Sequence, residues 1–230
     1  HIQINAEGVV NPCCMFSPTI YHNQYDNLQK AFEGPENQDL RKRMLNGEQI
    51  RGCEKCDLYE KLNKFSYREH FDLKYDSSSI ENPKIRELEF ALDNVCNFKC
   101  VTCSSRFSSK WYNDDLKLIN LGIPRYSEAI RKRKKILKNS NNLDGLDLSE
   151  LNYLKLIGGE PFINDSYIDI LKKINLENLE LALITNNSVF PEKWIDLILK
   201  VKTLNLHVSI DGVYEVGEFV RSGMNFKKFT

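Results

Sequence analysis

The sequence predicts an α/β protein built on a parallel sheet, preceded by a small α+β module that carries cysteines. Three observations predict it. Four apolar runs, RELEFAL (86–92), LNYLKLI (151–157), LELALI (179–184) and LNLHVSI (204–210), suit strands, and amphipathic stretches such as SYIDILKKI and EKWIDLILKV lie between the later ones. Strand, helix, strand repeating at about 26 residues is the pattern of βαβ units. Each apolar run also ends in a polar or glycine-containing motif: DNVCNFKC, GGEP, TNN and SIDG. In parallel α/β proteins ligands bind at the carboxyl ends of the strands, so four such endings surround one site.

The module occupies residues 1–80. HIQINAEGVVNPCC reads as two short strands around the turn Ala6-Glu7-Gly8, with alternating apolar positions such as Ile2, Ile4 and Val9. ENQDLRKRMLNGEQ is helical and stops near Asn46-Gly47, and one further polar helix follows Cys56 through DLYEKLNKFSYREHF. YDSSSIENP (75–83) has the composition of a linker, which places a second domain at 84–230. Its first interval between strands is long enough for two helices, around Trp111–Leu121 and Glu128–Lys138.

Composition excludes several classes. Thirty-two basic residues balance 32 acidic ones over 230 residues, so no net field draws in nucleic acid or an anionic membrane. The basic run IRKRKKILK (130–138) is read as a solvated helical face, and Trp111 and Trp194 as core residues. No apolar run has the length of a membrane span, and the expected location is cytoplasmic. Seven cysteines fall in tight groups, Cys13-Cys14, Cys53-x2-Cys56 and the trio Cys96, Cys100 and Cys103. Grouping at such spacing indicates metal ligation in a reducing compartment rather than a disulfide scaffold.

The trio, spaced C-x3-C-x2-C, carries the chemistry. A cubane [4Fe–4S] cluster usually takes four thiolates, and three leave one iron open to a small molecule. The competing reading is zinc with a histidine, but His70 and His207 are both remote in sequence.

CNFKCVTC after one strand, GGEP after the next and SIDG after a fourth together resemble the radical S-adenosylmethionine (radical SAM) superfamily, over residues 86 to about 222. The resemblance implies a partial (β/α)6-type barrel with about four βα units present, C-terminally incomplete. It implies that the cluster ligates S-adenosylmethionine and cleaves it reductively to methionine and a 5′-deoxyadenosyl radical, which takes hydrogen from a substrate. By the same match Gly158, Gly159 and Glu160 meet the methionyl amine, and Ser209 and Asp211 the ribose. Thr185 and Asn186 line the same wall. Arg221, in FVRSG, matches an arginine that meets the methionyl carboxylate, with a plain surface arginine as the competing reading. Thr102 stands where the family usually has an aromatic residue near adenine, and Phe98 is the substitute nearest in sequence.

NAEGVVNPCC followed by NGEQIRGCEKCDLYE resembles the auxiliary-cluster modules called SPASM and twitch domains, here ahead of the core instead of behind it. That resemblance implies a second [4Fe–4S] cluster on Cys13, Cys14, Cys53 and Cys56, with zinc as the alternative. It also implies an external electron donor and, by analogy, a peptide or protein substrate. The rival to the enzyme reading is a non-catalytic iron–sulfur or zinc-binding protein, an electron carrier or interaction module. No catalytic side chain is nominated.

Overall fold

A six-stranded sheet in the order β2-β1-β3-β5-β6-β7 organises the chain. The computed structural model describes residues 1–16, 28–75, 82–123, 134–136 and 143–229. The strands are β1 (Ile2–Ile4), β2 (Val10–Asn11), β3 (Glu87–Ala91), β5 (Tyr153–Ile157), β6 (Glu180–Thr185) and β7 (Thr203–Val208). A separate ribbon pairs β4 (Lys99–Cys100) with β8 (Arg221–Ser222).

The four expected strands of the larger region are all present and all parallel. Their carboxyl ends therefore share one rim, from which DNVC, GGEP, TNN and SIDG all emerge. Alternation decides the faces. Leu88, Phe90, Leu154, Leu156, Leu181 and Leu183 are fully buried on one face, where Tyr167, Leu171 and Trp194 cover them. The other face carries Glu89, Lys155 and Ala182 at the intervening positions.

The two N-terminal strands form the expected hairpin. Asn5 organises its turn, its side-chain oxygen accepting from the backbone N–H of Glu7 (2.9 Å) and Val9 (3.0 Å), while Gly8 takes φ +78°. Where this hairpin docks is set by long-range pairing. β1 pairs in parallel with β3, Ile2 opposite Leu88 and Ile4 opposite Phe90. The boundary at residues 80–84 thus divides the sequence but not the sheet, because Ile2 and Ile4 extend the same apolar face.

Helix α1 (Leu28–Glu33) precedes α2 (Pro35–Leu45), which starts with proline at its first turn and stops at Asn46 and Gly47 (φ +70°). The single helix expected after Cys56 is two. α3 (Glu54–Lys61) begins before Cys56 and includes it, and α4 (Tyr67–Lys74) follows a break in which Asn63 takes φ 50°. Ser66 and Glu69 make the break definite by a capping box: Ser66 Oγ accepts from Glu69 N at 3.1 Å, and Glu69 Oε2 from Ser66 N at 2.7 Å. The helix expected at 111–121 is α5 (Tyr112–Asn120), entered through a 3-10 turn at Ser109–Trp111. The one expected at 128–138 lies almost wholly outside the described residues, as do 76–81 of the linker. Later helices are α6 (Ser166–Leu171), α7 (Ile195–Ile198), α8 (Tyr214–Val220) and α9 (Phe226–Phe229). Among the described residues no helix is long and apolar enough to cross a membrane.

Glu87 ties the helical segment to the sheet. Burial works against its ionisation, but His1, Lys74 Nζ (2.6 Å) and Tyr75 Oη (2.8 Å) outweigh it and hold the carboxyl at about 2. Its folded pKa lies below the value of about 4.3 expected in the unfolded chain. Its contribution to stability is therefore full above that value and is lost as the pH falls through 2. Urea unfolding of wild type across that window should show a steeper loss of stability than the Glu87→Gln variant; parallel profiles would refute the assignment.

Candidate metal and cofactor site

The trio sits on the loop that leaves β3, and four independent ties hold that loop in place. Cys100 lies in β4, opposite Arg221 of β8. Trp111 Nε1 donates to the carbonyl of Cys100 at 2.8 Å. Ser108 Oγ donates to the carbonyl of Phe98, also at 2.8 Å. Asn94 Nδ2 donates to the carbonyl of Ser105 at 2.8 Å. Trp111 is thus not the core residue the sequence suggested: it is half-buried, with Lys99 Nζ stacked 4.7 Å from its ring centre. Trp194 is core, fully buried.

All seven cysteines are free thiols. Burial pushes Cys96, Cys100 and Cys103 above the ordinary thiol range, Cys103 to about 11, and the three sulfurs repel one another when ionised. A bound cation reverses both effects, because a coordinating thiol is deprotonated outright. Donors already point at these sulfurs. Phe98 N–H reaches Cys96 Sγ (3.4 Å), Asn186 Nδ2 the same sulfur (3.8 Å), and Arg221 Nη1 reaches Cys100 Sγ (3.7 Å). Three soft, half-buried thiols with N–H donors on one short loop are a donor set that suits the irons of an iron–sulfur cluster.

The GGEP turn lies against this loop. Gly159 N donates to Asp93 O (3.1 Å) and Glu160 N to Val95 O (2.8 Å). A Cβ on Gly159 would stand 1.9 Å from Val95 O, and one on Gly158, which takes φ +129°, would stand 2.6 Å from Asp93 O. Only glycine permits this approach. Glu160 is buried, its carboxylate accepting from Thr185 Oγ1 (2.6 Å), Asn186 N (2.6 Å) and Phe162 N (3.2 Å). Burial raises its pKa, and these donors oppose the rise. Oε1 is filled by two donors, while Oε2 keeps a lone pair.

A chamber of about 640 Å³ opens over this rim. Cys96, Cys100 and Cys103 line it, as do Gly158, Gly159 and Glu160. So do Thr185, Asn186, Ser209 and Arg221. Phe98 and Thr102 are on its wall too. Asp211 is not among the lining residues; its Oδ2 lies 2.8 Å from Arg221 Nε, an ion pair whose angle does not make it a hydrogen bond.

The sequence model of the radical SAM superfamily matches residues 92–230. The chain belongs to the radical SAM superfamily. It is an enzyme of that class, whose shared chemistry is [4Fe–4S]-dependent cleavage of S-adenosylmethionine. No curated protein sequence matches it.

The N-terminal cysteines divide. Cys13 is within electrostatic reach of Cys53 and Cys56, and the three line a second cavity of about 310 Å³ with Phe16, Tyr67 and Arg68. Gly52 (φ +107°) passes so close to the Phe16 ring that a Cβ there would lie 2.7 Å from it, which brings Cys53 to this cavity. Cys14 instead lines the large chamber, beside Lys155. Burial and the Glu89 carboxylate push its thiol to about 11, and Tyr67 hydrogen-bonds to it.

The Gly159→Ala variant should lose stability by about 3 kcal/mol, the upper end for overpacking, because its Cβ meets backbone that cannot yield. Urea unfolding measures this, and a loss below about 1 kcal/mol would show that the loop moves aside freely.

Proposed function

We propose that this radical SAM enzyme holds its [4Fe–4S] cluster on Cys96, Cys100 and Cys103, and that S-adenosylmethionine runs along the strand rim from there. The observation that carries the reading is one chamber lined by that trio, by Gly158–Glu160 and by Ser209. When bound, the cluster supplies the single electron that breaks the sulfonium bond. The chain's own residues then have distinct tasks. The backbone of Gly158 and Gly159 and the open lone pair of Glu160 Oε2 receive the methionyl amine. Arg221, held by Asp211, offers its guanidinium to the methionyl carboxylate. Ser209 takes the ribose, with Thr185 and Asn186 on the same wall, while Asp211, expected beside it, is paired with Arg221 instead. Phe98, buried beside the trio, gives an apolar surface in place of the missing aromatic at Thr102. The sheet is read as belonging to a (β/α)6-type barrel, with β7 at its edge.

The N-terminal region is proposed to be a SPASM/twitch-like auxiliary module with a second [4Fe–4S] cluster or a zinc ion. Cys13, Cys53 and Cys56 gathering at one cavity supports it. A peptide or protein substrate and an external electron donor complete the reading, in a cytoplasmic setting that keeps the thiols reduced.

Replacing Cys96, Cys100 or Cys103 by alanine should abolish 5′-deoxyadenosine formation in the anaerobically reconstituted, reduced protein. Continued formation in the triple variant would overturn the assignment and leave a non-catalytic metal-binding protein as the better reading. The wild-type chain should carry about eight irons if both sites are cubane clusters, and Cys53→Ala with Cys56→Ala should remove about four of them. Zinc at the second site would exclude a redox role for it.

A further inference from the structure

One wall of the chamber is crossed by a single polar rung. Asn11 of β2 stands opposite Gln3 of β1, Gln3 opposite Glu89 of β3, and Glu89 opposite Lys155 of β5. Their side chains join in one direction. Lys155 Nζ donates to Glu89 Oε2 at 2.8 Å, and Gln3 Nε2 donates to Glu89 Oε1. Asn11 Nδ2 then donates to Gln3 Oε1 at 3.2 Å. Glu89 accepts only, so it fixes the amide orientation of Gln3, and Gln3 fixes that of Asn11. The chain of bonds ends on Asn11 Oδ1, which has no hydrogen-bond partner among the described residues although Asn11 is only 4% exposed. A buried acceptor without a donor costs on the order of 1–3 kcal/mol. At the other end Lys155 keeps donor capacity beyond its bond to Glu89. Asn11, Gln3, Lys155 and Cys14 all line the large chamber.

We infer that this rung is the substrate-positioning wall of the enzyme, half of it supplied by the N-terminal hairpin, and that it takes a neutral, amide-bearing substrate: an extended peptide segment. The inference rests on the proposed cofactor site only for the identity of the reaction, since the rung is defined without it. Charge selects the class. Lys155 and Glu89 cancel, so the rung has no net charge with which to favour a carboxylate or phosphate over water, and Glu7 on the same hairpin disfavours an anion further. Hydrogen bonding selects the group: one end needs an N–H to accept, and the other offers an N–H to a carbonyl. Reach selects the length. Three strand spacings separate Asn11 from Lys155, roughly 14 Å, which about four extended residues span. Cys14 belongs to this wall and not to the auxiliary site, which keeps Cys13, Cys53 and Cys56.

The test uses the full chain, reconstituted anaerobically, with methyl methanethiosulfonate as a small thiol reagent at mildly alkaline pH. Labelling should fall on Cys14 alone, the other six cysteines being occupied by metal, and Cys14→Ser should keep the full metal content. An unlabelled Cys14, or loss of the second site in Cys14→Ser, would make it a ligand and overturn the division. N-acetyl-trialanine N-methylamide should slow the labelling by at least about threefold. Inorganic phosphate and acetate should leave the rate unchanged. Asn11→Leu and Lys155→Met should each abolish the protection while retaining iron. No protection by the peptide, equal protection by phosphate, or protection that persists in both variants would refute the substrate class. The label is read on the Cys14 peptide by mass spectrometry and 5′-deoxyadenosine formation is read separately, so a failure of the cofactor reading leaves the protection of Cys14 interpretable.

Discussion

The Glu160 carboxylate is the point on which the rim of the sheet depends. Three strand ends meet there. Its own backbone N–H bonds to Val95 of the cysteine loop, and its side chain binds Thr185 and Asn186 after β6. Burying a carboxylate costs several kcal/mol after relaxation, and each charged hydrogen bond returns about 1.5–3 kcal/mol. Three donors are therefore of the order needed to hold the charge inside, and removing one leaves the balance adverse. Gly158 and Gly159 make the arrangement possible by letting two backbones approach where no side chain fits. Asn186, once fixed by Glu160, reaches both Asn97 (2.9 Å) and Cys96. One buried charge thus orders the loop after β5, the loop after β6 and the first cysteine together.

A second set of ties acts from the far side. The β4–β8 ribbon joins Cys100 to Arg221, and Gly223 (φ +108°) turns directly against Phe98, where a Cβ would lie 3.1 Å from the ring. The cysteine loop is consequently fixed from strand, helix and ribbon before any cofactor arrives. Such preorganisation suits chemistry in which a reactive intermediate must meet one hydrogen atom and exclude water. The hairpin's docking on β3 extends the same principle to the opposite wall, bringing the first residues of the chain into the chamber.

Much of this was legible in the sequence. Alternating leucines and the glycine and polar endings located β3, β5, β6 and β7 to within two residues, because hydrophobic period and turn chemistry act locally. The motifs on the rim were legible for the same reason. The break between α3 and α4 was also local, and the S-Y-R-E capping box at Ser66 carried the signal that the helical composition concealed. The docking of β1 was not legible, since strand partners are chosen through long-range packing of residues such as Ile2 and Ile4. Trp111 looked like core because its indole N–H finds the Cys100 carbonyl only after folding. The separation of Cys14 from Cys13 follows from strand and loop direction, which vicinal spacing does not encode. Glu89 and Lys155, charged residues at alternate positions of apolar strands, were the available sign of a polar wall.

Three cysteines would leave one iron to which S-adenosylmethionine is ligated. The most direct measurement is the electron paramagnetic resonance spectrum of the reconstituted, reduced Cys53→Ala/Cys56→Ala chain, recorded with and without S-adenosylmethionine. The expected result is a [4Fe–4S]⁺ signal whose g values shift when the compound is added, because a new ligand joins the cluster proposed on Cys96, Cys100 and Cys103. A signal of that cluster left unchanged at saturating S-adenosylmethionine would contradict it.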